Sequence, residues 1–291
     1  MRGFVTLAVG DVKYYKLAAN LLISYRKSNN CSPGKFAIFC DKENEYTKLF
    51  DKVIIIEKPY FSYMDKLIML SNPPFEENIF IDADCLIFND ANIYWDYFPK
   101  KGVSCFGQAL SLESKDGWFE LDNIGEYRDR VKFIPNMHGG IIFFNKDNVT
   151  KQIYELSLEV ADNYDKYTFK YFEKPADEPI LALCMAVFDI KPIALEKSIN
   201  KKAYIFYPIA KKVMSNINKN KLSYISQDGD LVSDVILCHY QNYNTQKLQY
   251  KIEECRLHNK NVFSYIFVFI MRLYSISIKR IINKLKRMVG R

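Results

Sequence analysis

Asp82 and Asp84 stand two positions apart at the end of the apolar run Asn78-Ile-Phe-Ile81, and a second apolar run, Leu86 to Phe88, follows at once. In an extended chain residues i and i+2 face the same side. Both carboxylates, with Ala83 between them, can therefore address one ligand at the carboxyl edge of a sheet, where open α/β folds bind theirs. Two hard oxygen donors suit Mg²⁺ or Mn²⁺ carrying a diphosphate. The competing reading is a loop that happens to hold two acids. The apolar flanks weigh against it, because burying them leaves two close like charges that need a cation.

Four other places carry usable chemistry. His239 ends the run Val235-Ile-Leu-Cys-His, and a neutral imidazole is a common partner of carboxylates on Mn²⁺, although a histidine making one structural hydrogen bond is the ordinary alternative. His138 precedes Gly139 and Gly140, a pair that permits close backbone approach to a ligand or simply makes a turn. Asp177 and Glu178 follow Lys174-Pro175-Ala176. Either acid can act as a nucleophile or as a charge that stabilises a cationic transition state, while Asp177 is equally well placed to cap the helix that follows. Tyr14 begins the helical face Tyr14, Leu17, Ala18, Leu21, Leu22, Tyr25, so its ring either packs inside or remains available to a planar ligand.

The elements that must position these groups alternate. Continuous Val, Ile and Phe-rich runs at 4–9, 35–40, 53–57, 78–81 and 103–106 predict buried parallel strands. Helix-length segments at 14–27, 43–50 and 65–70 separate the earlier ones. Residues 1–106 thus predict a Rossmann-like half. A further strand is expected over 140–144, helices over 146–163 and 177–187, and a strand over 234–238; residues 108–135, without periodicity, predict a long functional loop.

With 291 residues, 49% of them hydrophobic, the chain can bury a large core, which excludes disordered and fibrous classes. The net charge of +7 is uneven. From Lys247 onward there are 11 Lys/Arg against 2 Asp/Glu, leaving 30 against 32 in residues 1–246. Residues 1–246 therefore read as the catalytic domain and 247–291 as a basic tail. In that tail the apolar run 262–271 is too short to span a bilayer, which takes about 20 helical residues. Beyond it Tyr274, Ile278, Ile281, Ile282, Leu285 and Met288 fall opposite Lys279, Arg280, Lys284, Lys286 and Arg287, the pattern of a helix lying on an anionic membrane surface. Nucleic acid is a poorer partner, since a phosphate backbone has no use for the apolar face. Seven cysteines without a CxxC pair predict reduced thiols. With no signal-peptide pattern at the amino end, a cytoplasmic protein at the inner face of the membrane is expected.

The Asp82-Ala-Asp84 stretch resembles the DxD signature of nucleotide-sugar glycosyltransferases of the GT-A fold, specifically the retaining glycogenin and lipooligosaccharide galactosyltransferase type of glycosyltransferase family 8. Lys66 in Tyr63-Met-Asp-Lys-Leu67 resembles the family's basic residue before the DxD strand. His138-Gly-Gly-Ile-Ile-Phe-Phe-Asn145 resembles the segment beside the donor sugar, Asp177-Glu178 its Asp-Gln pair, and His239 the late histidine of the metal site. His138 stands where the family has Asn and Glu178 where it has Gln, and the Gly and Lys-Pro-Trp that follow the late histidine are missing here.

The resemblance implies an α/β GT-A fold over residues 1–245 and transfer of a hexose, with retention, from a UDP-sugar to a saccharide or lipid-linked acceptor in cell-surface polysaccharide assembly. It implies Mn²⁺ or Mg²⁺ on Asp84 and His239, with Asp82 on metal or ribose. Lys66 would neutralise the leaving diphosphate. Ala8 and Gly10 at the first strand's end would read the base through backbone groups, with Tyr14 stacked on it, and Asp82, Ala83, His138, Gly139 and Gly140 would line the donor. One alternative is a haloacid-dehalogenase-type phosphatase using Asp82 as nucleophile, a class that wants Thr or Val where Leu86 stands. Another is a noncatalytic membrane-associated scaffold.

Overall fold

The computed structural model describes residues 1–29, 34–99, 101–194, 202–267 and 270. The elements, in chain order, are β1 (Arg2–Ala8), α1 (Val12–Ser28), β2 (Lys35–Cys40), β3 (Lys52–Ile55), α2 (Asp65–Ile68), β4 (Glu77–Ile81), β5 (Cys85–Ile87), α3 (Tyr94–Tyr97), β6 (Val103–Leu110), β7 (Ile134–Asn145), α4 (Asn148–Asp162), α5 (Asp177–Val187), β8 (Tyr204–Phe206), β9 (Lys212–Asn216), β10 (Lys221–Ile225), β11 (Leu231–Val232), β12 (Leu237–His239) and α6 (Leu248–Leu257).

Six strands form the central sheet in the order β3-β2-β1-β4-β7-β6. The first four are parallel, as their unbroken apolar runs predict, but β7 runs antiparallel to both β4 and β6. Alternate residues divide the core between the two faces. Phe4, Phe36, Ile38, Ile79, Ile81, Ile141 and Phe143 pack with α1. Val5, Ala37, Phe39, Phe80, Ile142 and Phe144 pack with α4 and α5. α5 is buried on nearly every side, which explains its lack of a polar face.

The helix expected over 43–50 is only a 3₁₀ turn at Thr47–Leu49. The irregular stretch 108–135 is shorter than its sequence suggests, because β6 and β7 extend into it as a pair reaching Leu110 and Ile134, past a register break between Cys105 and Gly107.

Two small sheets accompany the central sheet among the described residues. β9, β10 and β11 form an antiparallel sheet, while β12 pairs antiparallel with β5 and parallel with β8. α6 docks on α1, where buried Asn20 donates to Tyr250 Oη at 3.2 Å and to Glu254 Oε1 at 3.0 Å. The six described cysteines are free, buried thiols, and no described helix is long and apolar enough to cross a membrane.

Candidate functional site

β4 ends at Ile81, and the chain turns through Asp82-Ala83-Asp84 before entering β5. The turn is tied down by backbone: Asp82 N donates to Gly140 O of β7 at 3.0 Å, and Tyr240 N donates to Asp84 O at 3.2 Å. Ala83 sits half-buried between the acids and packs against the core. In the β5–β12 ladder His239 pairs with Cys85, which brings the imidazole alongside both carboxylates. His239 Nε2 lies 3.1 Å from Asp84 Oδ1 and 3.7 Å from Asp82 Oδ2. Burial lowers the pKa of His239, but the hydrogen bond and charge of Asp84, aided by Asp82, more than offset it and leave it raised.

His138 holds His239 from behind. Gly140 N donates to His138 Nδ1 at 2.8 Å, and His138 Nε2 lies 3.1 Å from His239 Nδ1. Burial keeps His138 neutral by lowering its pKa well below the usual value, and Tyr204 and Phe206 of β8 pack edge-on against it. The glycine pair makes room for protein groups. A Cβ on Gly140 would stand 2.6 Å from His138 Cε1 and 2.9 Å from His239 Nδ1, and one on Gly139 would stand 2.6 Å from Glu178 Cγ.

Lys66, on α2, reaches into the same space. Its Nζ lies 2.6 Å from Asp177 Oδ2 and 3.1 Å from Asp82 Oδ1, and donates to Gly139 O at 3.1 Å. Burial opposes the charge, yet Asp177, Asp82 and Glu178 together raise the pKa of Lys66, so it stays an ammonium. Asp82 is pushed upward by its own burial, against the pull of Lys66 and His239. Asp177 is not the cap of α5: Ala176 occupies that position, and Asp177 is the first helical residue, its carboxylate given to Lys66. Glu178 Oε1 accepts from Gly139 N at 2.6 Å, and burial, with the charge of Asp177 beside it, pushes its carboxyl up to about 7.

At the end of β1, Ala8 pairs with Cys40, and Gly10 adopts φ 78 and donates to Asp41 Oδ1 at 3.0 Å. Tyr14 is half-buried there: its Oη accepts from Asn242 at 3.0 Å, its ring packs against the core between α1 and the small sheet, and Lys13 Nζ lies 4.7 Å from the ring centroid. Two residues beside Gly10 escaped the sequence reading. Asp41 also accepts from Tyr15 Oη, and Phe61 lies so close that a Cβ on Gly10 would be 3.4 Å from its Cδ1. Their signals were an acid directly after the β2 run and the aromatic string Tyr60-Phe61-Ser62-Tyr63.

The donor chemistry fits a divalent cation. Two carboxylates and one imidazole converge, a hard oxygen and nitrogen set suited to Mn²⁺ or Mg²⁺. Asp84, Cys85 and His239 place ligand atoms within 4.8 Å of one another, but sulfur is a soft donor poorly suited to Mn²⁺ or Mg²⁺, and Asp82 is the better third donor.

No family model matches the chain, and no curated protein matches it in sequence. Its three-dimensional likeness is to sugar transferases. An active-site variant of LgtC, in which Gln is replaced by Glu, matches with a TM-score of 0.50 at 14% identity over 82% of this chain and 87% of that one. The galactosyltransferase LgtC in complex with donor and acceptor sugar analogues matches with 0.49 at 12% identity over the same shares. GlyE of Streptococcus pneumoniae TIGR4, a glycosyltransferase, matches with 0.44 at 11% identity over 68% of this chain and 46% of that one. With its mostly parallel sheet, its one reversed strand and its DxD turn at the sheet edge, the chain has the α/β GT-A fold of the LgtC structure.

Proposed function

We propose that the protein is a metal-dependent glycosyltransferase that moves a hexose from a nucleoside diphosphate sugar, a UDP-sugar by the resemblance, to a saccharide or lipid-linked saccharide acceptor. The observation that carries this reading is the convergence of Asp82, Asp84, His239, Lys66, Asp177 and Glu178 at the carboxyl edge of one sheet. Asp84 and His239, with Asp82, would hold Mn²⁺ or Mg²⁺, which supplies Lewis-acid neutralisation of the departing diphosphate. Lys66 links the DxD turn to α5 and fixes the charge of Asp177 where a positive anomeric centre can be stabilised at little reorganisation cost. Glu178 is the site acid whose protonation changes near neutrality, and as Glu in place of the family's Gln it can serve as nucleophile or as a neutral hydrogen-bond donor. Retention rests on the resemblance alone. The fold does not favour the phosphatase or scaffold alternatives.

Residues 1–246 would be the catalytic unit and 247–291 the tail, with the membrane-facing part beginning after α6. Support comes from Phe263, Phe267 and Ile270, which are exposed at helical spacing after α6. The basic amphipathic stretch from Arg272 onward lies outside the described residues. Peripheral association with the inner face of an anionic membrane is the corresponding proposal for location.

The test is hydrolysis of UDP-galactose and UDP-glucose by the purified protein with Mn²⁺ and with EDTA, alongside thermal shifts for UDP-, GDP- and TDP-sugars, since a ligand that binds only the native state raises stability by mass action. Mn²⁺-dependent release of UDP supports the proposal. Phosphate release from simple monoesters without nucleotide would overturn it.

A further inference from the structure

Beside the site, three loops carry aromatic rings to solvent. Phe61 and Tyr63 come from the loop before α2, Trp118 from the segment between β6 and β7, and Tyr171 and Phe172 from the segment before α5. Tyr63 is 64% exposed and Tyr171 88%, and Trp118 and Phe172 are half-buried between them. The rings meet across the loops: Tyr63 and Phe172 at 5.8 Å between centroids, Trp118 and Phe172 at 5.9 Å, Trp118 and Tyr171 at 6.1 Å. Three segments distant in sequence thus assemble one aromatic surface, and contiguous exposed apolar surface marks an interaction site.

The inner side of each loop is fastened to the site. Lys66, three residues beyond Tyr63, binds Asp82 and Asp177. Trp118 Nε1 donates to the carbonyl of Met137, the residue before His138, at 3.2 Å. Tyr171 and Phe172 lead through Pro175 to Asp177.

The backbone presents the rings against its own preference. Phe61 has φ 53 and Tyr171 φ 67, left-handed values that a bulky side chain ordinarily avoids and that are kept where the surroundings enforce them. For the first loop the enforcing group is Asp65, a fully buried carboxylate that accepts from Tyr60 N at 2.6 Å and Ser62 N at 3.1 Å, on either side of Phe61. Asp65 thereby fixes the backbone of the loop that carries Tyr63.

The neighbouring charge selects the ligand class. Residues 111–122 and 170–175 hold five acids (Glu113, Asp116, Glu120, Asp122, Glu173) against three lysines (Lys115, Lys170, Lys174), which disfavours an anionic lipid surface. A pyranose offers an apolar C–H face to a ring and hydroxyls to the carboxylates around it, and Tyr and Trp combine those two characters. We propose that Tyr63, Trp118, Tyr171 and Phe172 form the acceptor platform, on which a neutral saccharide lays the C–H face of a pyranose ring next to the DxD site. This rests on the glycosyltransferase reading and extends it by giving the acceptor its place and its chemical class.

The full-length protein, the double variant Tyr63→Ala/Tyr171→Ala and the single variant Tyr171→Phe are titrated with lactose, cellobiose, maltotriose and chitobiose by saturation-transfer NMR, after melting curves establish that all three are folded. At least one sugar binds the wild type at millimolar concentration, about tenfold more weakly to the double variant, while Tyr171→Phe, which keeps the ring, binds as the wild type does. Absence of binding by all four sugars overturns the platform, as does equal binding by the double variant. Binding to phosphatidylglycerol vesicles that vanishes with the two rings also overturns it, by assigning the patch to membrane. Hydrolysis of UDP-galactose and UDP-glucose by the wild type is scored separately. Its absence overturns the glycosyltransferase reading and the acceptor role with it, whereas its presence with ring-independent sugar binding overturns the platform alone.

Discussion

His239 lies opposite Cys85 in the antiparallel ladder of β12 and β5, and this pairing sets its Nε2 3.1 Å from Asp84 Oδ1. Side chains alternate across a strand, so a slip of one residue in that ladder would turn the imidazole away from the carboxylates. The candidate metal site is therefore a property of the register between a strand at the DxD turn and one near the carboxyl end of the body.

Asp84→Asn should abolish Mn²⁺-dependent donor hydrolysis while the melting temperature stays near that of the wild type, because an amide keeps the shape and removes the charge a cation requires. His239→Ala should raise the apparent Mn²⁺ requirement by at least about tenfold, the loss expected when a ligand or its support is removed. An unchanged metal titration in His239→Ala would assign this histidine a structural role only.

Gly140→Ala tests the packing that aims the imidazoles. The new methyl would stand 2.6 Å from His138 Cε1 and 2.9 Å from His239 Nδ1, so one or both rings must rotate. The expected result is a weakened Mn²⁺ dependence in a protein that still folds, read by metal titration and circular dichroism. Full wild-type metal affinity would mean that the ring pair tolerates rearrangement.

Glu178 should impose a pH dependence near neutrality. Burial and the charge of Asp177 raise its carboxyl from the ordinary 4.5 to about 7, so in that interval the folded protein retains a proton that the unfolded chain has released. Stability attributable to this group therefore falls as pH rises from about 4.5 through about 7. Glu178→Gln, which cannot ionise, should gain in melting temperature relative to the wild type across that interval, and the same substitution should remove any step in the donor-hydrolysis profile near pH 7. A temperature difference independent of pH would show that the carboxyl does not titrate there.

Asp147 caps α4, with Oδ1 accepting from Thr150 N at 2.8 Å and Oδ2 from Gly102 N at 3.0 Å. Its partial burial is outweighed by these bonds, which hold the carboxyl below its ordinary 3.8. The contribution is present above that ordinary value and is lost as pH falls through the lowered one. Asp147→Ala should cost about 1–2 kcal/mol in urea unfolding at pH 7, a cost that shrinks as the wild-type carboxyl becomes protonated.

Truncation after residue 260 removes Arg272, Lys279, Arg280, Lys284, Lys286, Arg287 and Arg291 and leaves α6 and every candidate site residue in place. The shortened protein should keep donor hydrolysis and lose cosedimentation with anionic vesicles. Binding of the full chain should weaken with salt, because screening acts on its electrostatic part. Equal sedimentation of the two proteins, or unfolding of the shorter one, would sink the membrane proposal.

The parallel half of the sheet and the helix α5 are legible because each rests on local pattern, whereas Asp82 and Asp84, expected in extended chain, lie in a turn closed by Cys85 N donating to Asp82 O at 3.1 Å. Unbroken Val, Ile and Phe runs belong to strands covered on both faces. Periodicity reports which face of an element is buried and is silent on its partner and its direction. The reversal of β7, the pairing that carries His239 to Asp84, and the meeting of Lys66 with Asp177 depend on contacts between segments far apart in sequence. Asp177 illustrates the difference: locally it reads as a helix cap, but Ala176 holds the cap position and the carboxylate of Asp177 pairs with the ammonium of Lys66 from α2, a contact no local pattern announces. The residue types at the site were fixed by local chemistry, and their convergence by long-range strand register and burial.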